Sequence, residues 1–179
     1  MNKAKEFLFS QLTPQSGQIE NEAQSMNSPQ ATNFRKNVHI YSHLDADGLS
    51  SAAILLKTFQ RLSIGCQISI LKQIDLRILK NIREEVRTTN KLVVFSDFGS
   101  GQIQAIQALF EKNHYLILDH HNPHLEGNIA EQEPLPNHVN PYFYGINGSM
   151  EICGAGVCYL FSKKKKKNNK DLAIYAIMG

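Results

Sequence analysis

The chain has 179 residues, 42% of them hydrophobic, with nine Phe and six Tyr: enough for one domain with a real core, and too apolar for wholesale disorder. Its formal charge of +3 comes from 19 Lys+Arg against 16 Asp+Glu, but five consecutive lysines, Lys163 to Lys167, account for all of it, so no basic face is spread over the domain. No apolar run approaches the roughly 18–20 residues that cross a bilayer, and Phe7-Leu8-Phe9 is too short for a secretory signal.

Residues 1–33 carry Phe7, Leu8, Phe9 and Leu12 and then a polar stretch broken by Pro14 and Pro29. Neither a 3.6 nor a 2.0 period is sustained, so they read as a short helix or arm and a flexible linker ahead of a domain over 34–179. Val38 to Ser42 alternates as a first strand, and Leu49, Ala52, Ala53, Leu56 and Phe59 then recur at helical spacing. Cys66 to Leu71 is a second strand; Asp75 is placed to cap a helix whose apolar face is Ile78, Leu79, Ile82 and Val86. Leu92 to Ser96 is a third strand, followed by a helix bearing Ile103, Ile106, Leu109 and Phe110. Tyr115 to Leu118 is the fourth, and His138-Val139 a short fifth. Helical patterns over Glu151 to Lys163 and Lys170 to Met178 close the chain. Short apolar strands alternating with amphipathic helices predict an α/β fold: a mainly parallel sheet of about five strands with helices on both faces. Cys66, Cys153 and Cys158 form neither a CxxC pair nor a disulfide framework, which points to a reducing, cytoplasmic setting.

Ligands of open parallel sheets bind beyond the carboxyl ends of the strands. Strand one runs into His43-Leu44-Asp45-Ala46-Asp47-Gly48, strand three into Asp97, and strand four into Asp119-His120-His121. Four carboxylates and three imidazoles therefore leave the sheet at one edge. Crowded acids repel and raise one another's pKa, and one or two divalent cations would relieve that. Mixed carboxylate and imidazole donors suit Mn²⁺ or Zn²⁺ better than an all-oxygen Ca²⁺ cage. A hairpin at Asp47-Gly48 is opposed by the helical period from Leu49, and an EF-hand loop fails because His43 and Ile54 stand at its first and twelfth ligand positions.

The segments HLDADGLSSAAIL, VVFSDFGSGQ, LILDHHNP and HVNPYFYG…EICGAGVCYLF resemble, in order and spacing, the motifs of the DHH phosphoesterase superfamily, in the version of the RecJ-type nucleases. The likeness runs over about residues 37–179. It implies a two-metal phosphoesterase, usually manganese-dependent, with magnesium as an alternative. Carried over by position, His43, Asp45, Asp47, Asp97 and His120 would ligate metal, with Asp97 bridging two ions. His121 would contact the substrate phosphate, and Asp119 would orient a neighbouring imidazole. Asp97 and His121 are thus the catalytic candidates.

Other features are weaker. Backbone N–H groups at Ser100, between Gly99 and Gly101, either hold a phosphate or serve a tight turn with a Ser cap. Gly154 and Gly156 open another helix, either approaching the site closely or packing helices. Asn140-Pro141 shapes a turn, and Asn147-Gly148-Ser149 is a glycosylation sequon by formula only. His39, His114, His124 and His138 have no ligand spacing and read as solvated or core residues. The lysine run Lys163 to Lys167 could grip a nucleic-acid backbone, but it reads rather as a solvated loop between two helices.

In RecJ-type proteins the helix that here ends at Gly179 leads into a further metal-binding Asp and then a second, substrate-gripping domain. The expectation is therefore a fragment lacking both and weak or inactive as it stands. The resemblance implies an exonuclease on single-stranded DNA or RNA, acting with replication or repair proteins. Two other readings remain: a non-catalytic scaffold of the replication or repair machinery, and a hydrolase of dinucleotides or short oligonucleotides.

Overall fold

The structure is a computed structural model and describes residues 37–179 except 124, 126–128, 130, 131, 134 and 164–166. The arm and linker expected over 1–33 lie outside the described residues. Strand β1 (Asn37–His43) is buried from Val38 to Ser42 on both faces, as a central parallel strand must be. It is followed by α1 (Ala46–Arg61), β2 (Gly65–Leu71), α2 (Leu76–Thr89) and β3 (Leu92–Ser96). A 3-10 turn (Ser100–Gln102) then leads into α3 (Ile103–Leu109), β4 (Tyr115–Leu118) and β5 (His138–Val139). Beyond a second 3-10 turn (Pro141–Tyr144) come α4 (Gly154–Lys163), a 3-10 segment (Lys167–Leu172) and α5 (Ala173–Met178).

The five strands are all parallel, in the order β2-β1-β3-β4-β5. Even-numbered β1 residues Val38 and Ile40 pack with Ile54, Leu55 and Phe59 of α1 and Val157 and Phe161 of α4. On the other face Tyr41, Val93, Phe95 and Ile117 meet Leu79, Ile82 and Val86 of α2 and Ile106 of α3. Helices therefore cover both faces, and the period-2 strand pattern decides which residue joins which core. On the outer face of β1 the polar groups are paired. His39 lies between Glu85 Oε1 (2.7 Å) and Ser69 Oγ (2.9 Å), and the Tyr41 hydroxyl donates to Glu85 Oε2.

Asp75 caps α2 as its position predicts, accepting from the Ile78 N–H at 2.7 Å. The last two helices start later than their patterns: Glu151 to Cys153 form a turn and coil, so α4 begins at Gly154, and Lys170 to Leu172 belong to the 3-10 segment. The physical reason at α4 is tertiary, because its first amides are taken by Asp47, a residue over a hundred positions away.

The chain leaves β1 for its neighbour β2 on one side and then crosses to β3 on the other. This reversal opens a crevice above the carboxyl ends of β1 and β3, where open parallel sheets place their ligands.

Candidate metal centre

The loop after β1 contributes three side chains. Asp45 caps α1, its Oδ1 accepting from the Gly48 N–H at 2.9 Å, and turns Oδ2 to within 2.9 Å of His43 Nδ1. The other ring nitrogen of His43 donates to the Lys72 carbonyl at 3.1 Å, which fixes the ring. An imidazole lone pair facing a carboxylate this closely requires a proton or a cation between them. Asp47, two residues on in the first turn of α1, accepts from the Gly154 and Ala155 amides at 2.7 and 2.6 Å, so the first turn of α4 holds it across the crevice.

Asp97 stands at the end of β3 with φ of 61°, a left-handed conformation that is strained for a side-chain-bearing residue. It is 1% exposed, and neither carboxylate oxygen receives a hydrogen bond. Burial, together with the charges of Asp47 and Asp119, pushes its carboxyl up to about 6, with His120 pulling the other way. A buried acid on a strained backbone, whose oxygens meet only His120 Nε2 at 3.3 Å and His43 Nδ1 at 3.9 Å, is costly to keep unless a further positive group binds it.

At the end of β4, Asp119 is equally buried but fully satisfied. Its Oδ1 accepts from the His120 and His121 amides and from His121 Nδ1 at 2.8 Å, and its Oδ2 accepts from the Ser100 amide at 2.8 Å. Burial opposes its ionisation, yet the His121 contact and these amides hold it below the ordinary carboxylate range. His120 donates from Nδ1 to the Gly148 carbonyl at 2.7 Å and so aims Nε2 at Asp97 Oδ1 (3.3 Å) and Asp47 Oδ2 (3.4 Å). Burial alone would depress its pKa, but the Asp97 contact, the Gly148 carbonyl and the nearby acids raise it to about 9. In His121 the Asp119 hydrogen bond raises the pKa, and its Nε2 faces outward on a half-exposed ring.

Two groups of donor atoms result, each with ligand atoms within 4.8 Å of one another: His43, Asp45 and Asp97, and Asp97, Asp119, His120 and His121. Asp97 is common to both. The residues present fit divalent ions, since the acids, the outward lone pairs of two carbonyl-anchored imidazoles and the orphaned Asp97 oxygens converge on one place. They adjoin a cleft of about 590 Å³ lined by His43, Lys72, Asp97, Gln102, His121 and Asn122, among others.

The crevice thus brings together His43, Asp45, Asp47, Asp97, His120 and His121 from three strand ends. Ser100 is not presented to it: the side chain is fully buried, its amide donates to Asp119, and its hydroxyl is engaged by His138 Nε2 and Asn140 Nδ2, both at 2.8 Å. Gly154 serves Asp47 and Asp97 rather than offering its amide to solvent; a methyl group there would strike the Asp97 carboxylate. The sequence marks Gly148 only as the middle of a formal sequon, yet its carbonyl anchors His120 and its α-carbon has no room for a side chain against the His120 backbone. Sequence reasoning passed over Lys72.

A parallel sheet with acids and imidazoles gathered at its switch point defines an α/β protein with a divalent-metal type of site. The chain belongs to the DHH family: the model of the DHH family, N-terminal domain, matches residues 37–179. An uncharacterized protein of Methanocaldococcus jannaschii is 31% identical over 142 residues, covering 79% of this chain and 32% of that protein. The chain therefore spans about a third of the length of this curated relative. Among solved structures, RecJ of Thermus thermophilus in complex with Mn²⁺ superposes with a TM-score of 0.55 at 22% identity, over 76% of this chain and 20% of that one. Exonuclease RecJ bound to manganese gives 0.56 at 20%, over 78% and 37%. CDC45 of Entamoeba histolytica gives 0.54 at 19%, over 78% and 28%. These likenesses show a shared fold. Among the described residues no helix is long and apolar enough to cross a membrane.

Proposed function

We propose that this chain is the metal-binding part of a phosphoesterase that hydrolyses phosphodiester bonds of single-stranded nucleic acid from an end, in the manner of the RecJ exonucleases it resembles in fold. The observation that carries this reading is the state of Asp97: buried, strained, shared by both donor groups and without a hydrogen bond. His43, Asp45, Asp47, Asp97 and His120 would hold two divalent ions, Mn²⁺ first among them. Such ions, when bound, activate a water and neutralise charge on the phosphoryl oxygens.

The chain's own residues have distinct tasks around that chemistry. The backbone carbonyls of Lys72 and Gly148 fix the tautomers of His43 and His120. Asp119, fully buried and with Oδ1 alone accepting three hydrogen bonds, is a support rather than a ligand: it keeps a proton on His121 Nδ1 and raises the pKa of that ring. His121 can then donate from Nε2 to a phosphate oxygen in the cleft. Lys72, the one Lys or Arg lining that cleft among the described residues, suits the neighbouring phosphate. At the far end of α5, Gly179 lies against Asp47.

A scaffold role remains the competing reading because CDC45 shares the fold. Degenerating metal sites lose donors, whereas here the donors of three strand ends still converge. Titration with Mn²⁺ by calorimetry separates the two, binding supporting the phosphoesterase and its absence the scaffold. In the full-length protein, Mn²⁺-dependent nuclease activity surviving Asp97→Ala would refute the proposal. Comparing turnover of a dinucleotide with that of a long single strand decides the substrate length.

A further inference from the structure

Beside His120 lies a second hollow of about 300 Å³, lined by His120, Ser149, Met150, Glu151, Ile152 and Cys153. Ser149 borders both concavities, so the two adjoin at that residue. Their chemistry differs. The cleft offers Lys72, Gln73, Gln102 and Asn122, whereas the hollow has, among the described residues, no Lys or Arg to receive a phosphate. It presents instead a thioether, a branched alkyl chain and a thiol, soft surfaces that favour the face of an aromatic ring. Met150 is 82% exposed, an unusual position for a large apolar side chain next to a polar site.

The wall of the hollow is preorganised. Asn140 accepts from the Tyr142 amide, and the Tyr142 hydroxyl donates to Asn147 Oδ1 and pairs with Ser149 Oγ, each at 3.1 Å. Glu151 accepts from the Asn147 amide at 2.7 Å, and the Gly148 carbonyl holds His120. The segment that would carry a ring is thus tied to a residue of the cluster.

We propose that this hollow is a nucleobase subsite. It takes the base of a nucleotide whose phosphate lies over the acid–imidazole cluster, stacking the ring on Met150 and Ile152. The inference rests on the phosphoesterase reading and adds to it the chemistry of one substrate group. Such stacking tolerates any base, because every base has a π-face.

The test uses Cys153 as a reporter in a Cys66→Ser background, since Cys158 is fully buried. In the full chain with Mn²⁺, modification of Cys153 by N-ethylmaleimide is followed by mass spectrometry, with adenosine 5′-monophosphate or ribose 5-phosphate as probe. Saturating adenosine monophosphate should slow modification about tenfold while ribose 5-phosphate leaves it nearly unchanged, and Met150→Ala should remove the difference. Equal protection by both probes, protection by neither, or base-specific protection undiminished in Met150→Ala overturns the subsite. Mn²⁺-dependent hydrolysis of bis(p-nitrophenyl) phosphate by the full-length protein is measured separately. Hydrolysis without base-specific protection overturns the subsite alone, and absence of hydrolysis overturns the parent reading.

Discussion

Gly154 at the start of α4 packs directly against the Asp97 carboxylate at the end of β3, leaving no space for a Cβ. The contact explains why a glycine opens this helix. In Gly154→Ala the new methyl would stand 2.9 Å from Asp97 Cγ and 3.0 Å from its Cβ, so one side must move. We expect Mn²⁺ affinity to fall roughly 10–100-fold with the circular dichroism spectrum unchanged. Wild-type affinity in this variant would show that the approach is incidental.

Asp97→Asn separates charge from shape. Asn tolerates the positive φ of this position, so the backbone need not change. In the metal-free protein the carboxyl titrates at about 6 against an ordinary 3.8, so the folded state binds the extra proton between those values and stability falls as pH rises through them. Removing the charge should therefore stabilise the EDTA-treated protein at pH 7 by roughly 1–3 kcal/mol in urea denaturation, while abolishing any Mn²⁺-induced rise in Tm. A destabilised variant that still responds to Mn²⁺ would contradict both halves.

His138 has the opposite sign in an overlapping window. Burial pushes its pKa down to about 4 from 6.5, so between those values the unfolded chain binds the extra proton and stability is lost as pH falls. Its Nδ1 has no partner, and its Nε2 shares a hydrogen bond with Ser100. In the Asp97→Asn background, unfolding free energy should drop by roughly 2–3 kcal/mol from pH 7 to 4.5, and a further His138→Gln change should flatten most of that slope. An unaltered slope would assign the acid sensitivity to other groups.

Lys72 lines the cleft beside His43. Lys72→Ala in the full-length protein should raise KM for a single-stranded oligonucleotide several-fold, leave kcat near wild type, and make the log KM against log salt plot shallower by about one phosphate contact. A loss confined to kcat would mean that Lys72 acts on His43 instead.

Element type and order were legible in the chain because local periodicity sets them. Alternation from Val38 to Ser42 and helical spacing from Leu49 report burial faces directly, and the parallel sheet follows from strands joined by helices. The acids and imidazoles at three strand ends were legible for the same reason: a residue just past a parallel strand emerges at the carboxyl edge wherever that strand lies. What each one does there depends on neighbours distant in sequence. Asp97 and Asp119 look alike in the chain, yet hydrogen bonds from His120, His121 and Ser100 satisfy one and leave the other bare. The placement of Ser100 beneath the site, the delayed start of α4 on Asp47, and the Gly148 carbonyl on His120 are likewise long-range contacts. No local pattern encodes them, because only packing decides which backbone group meets which side chain.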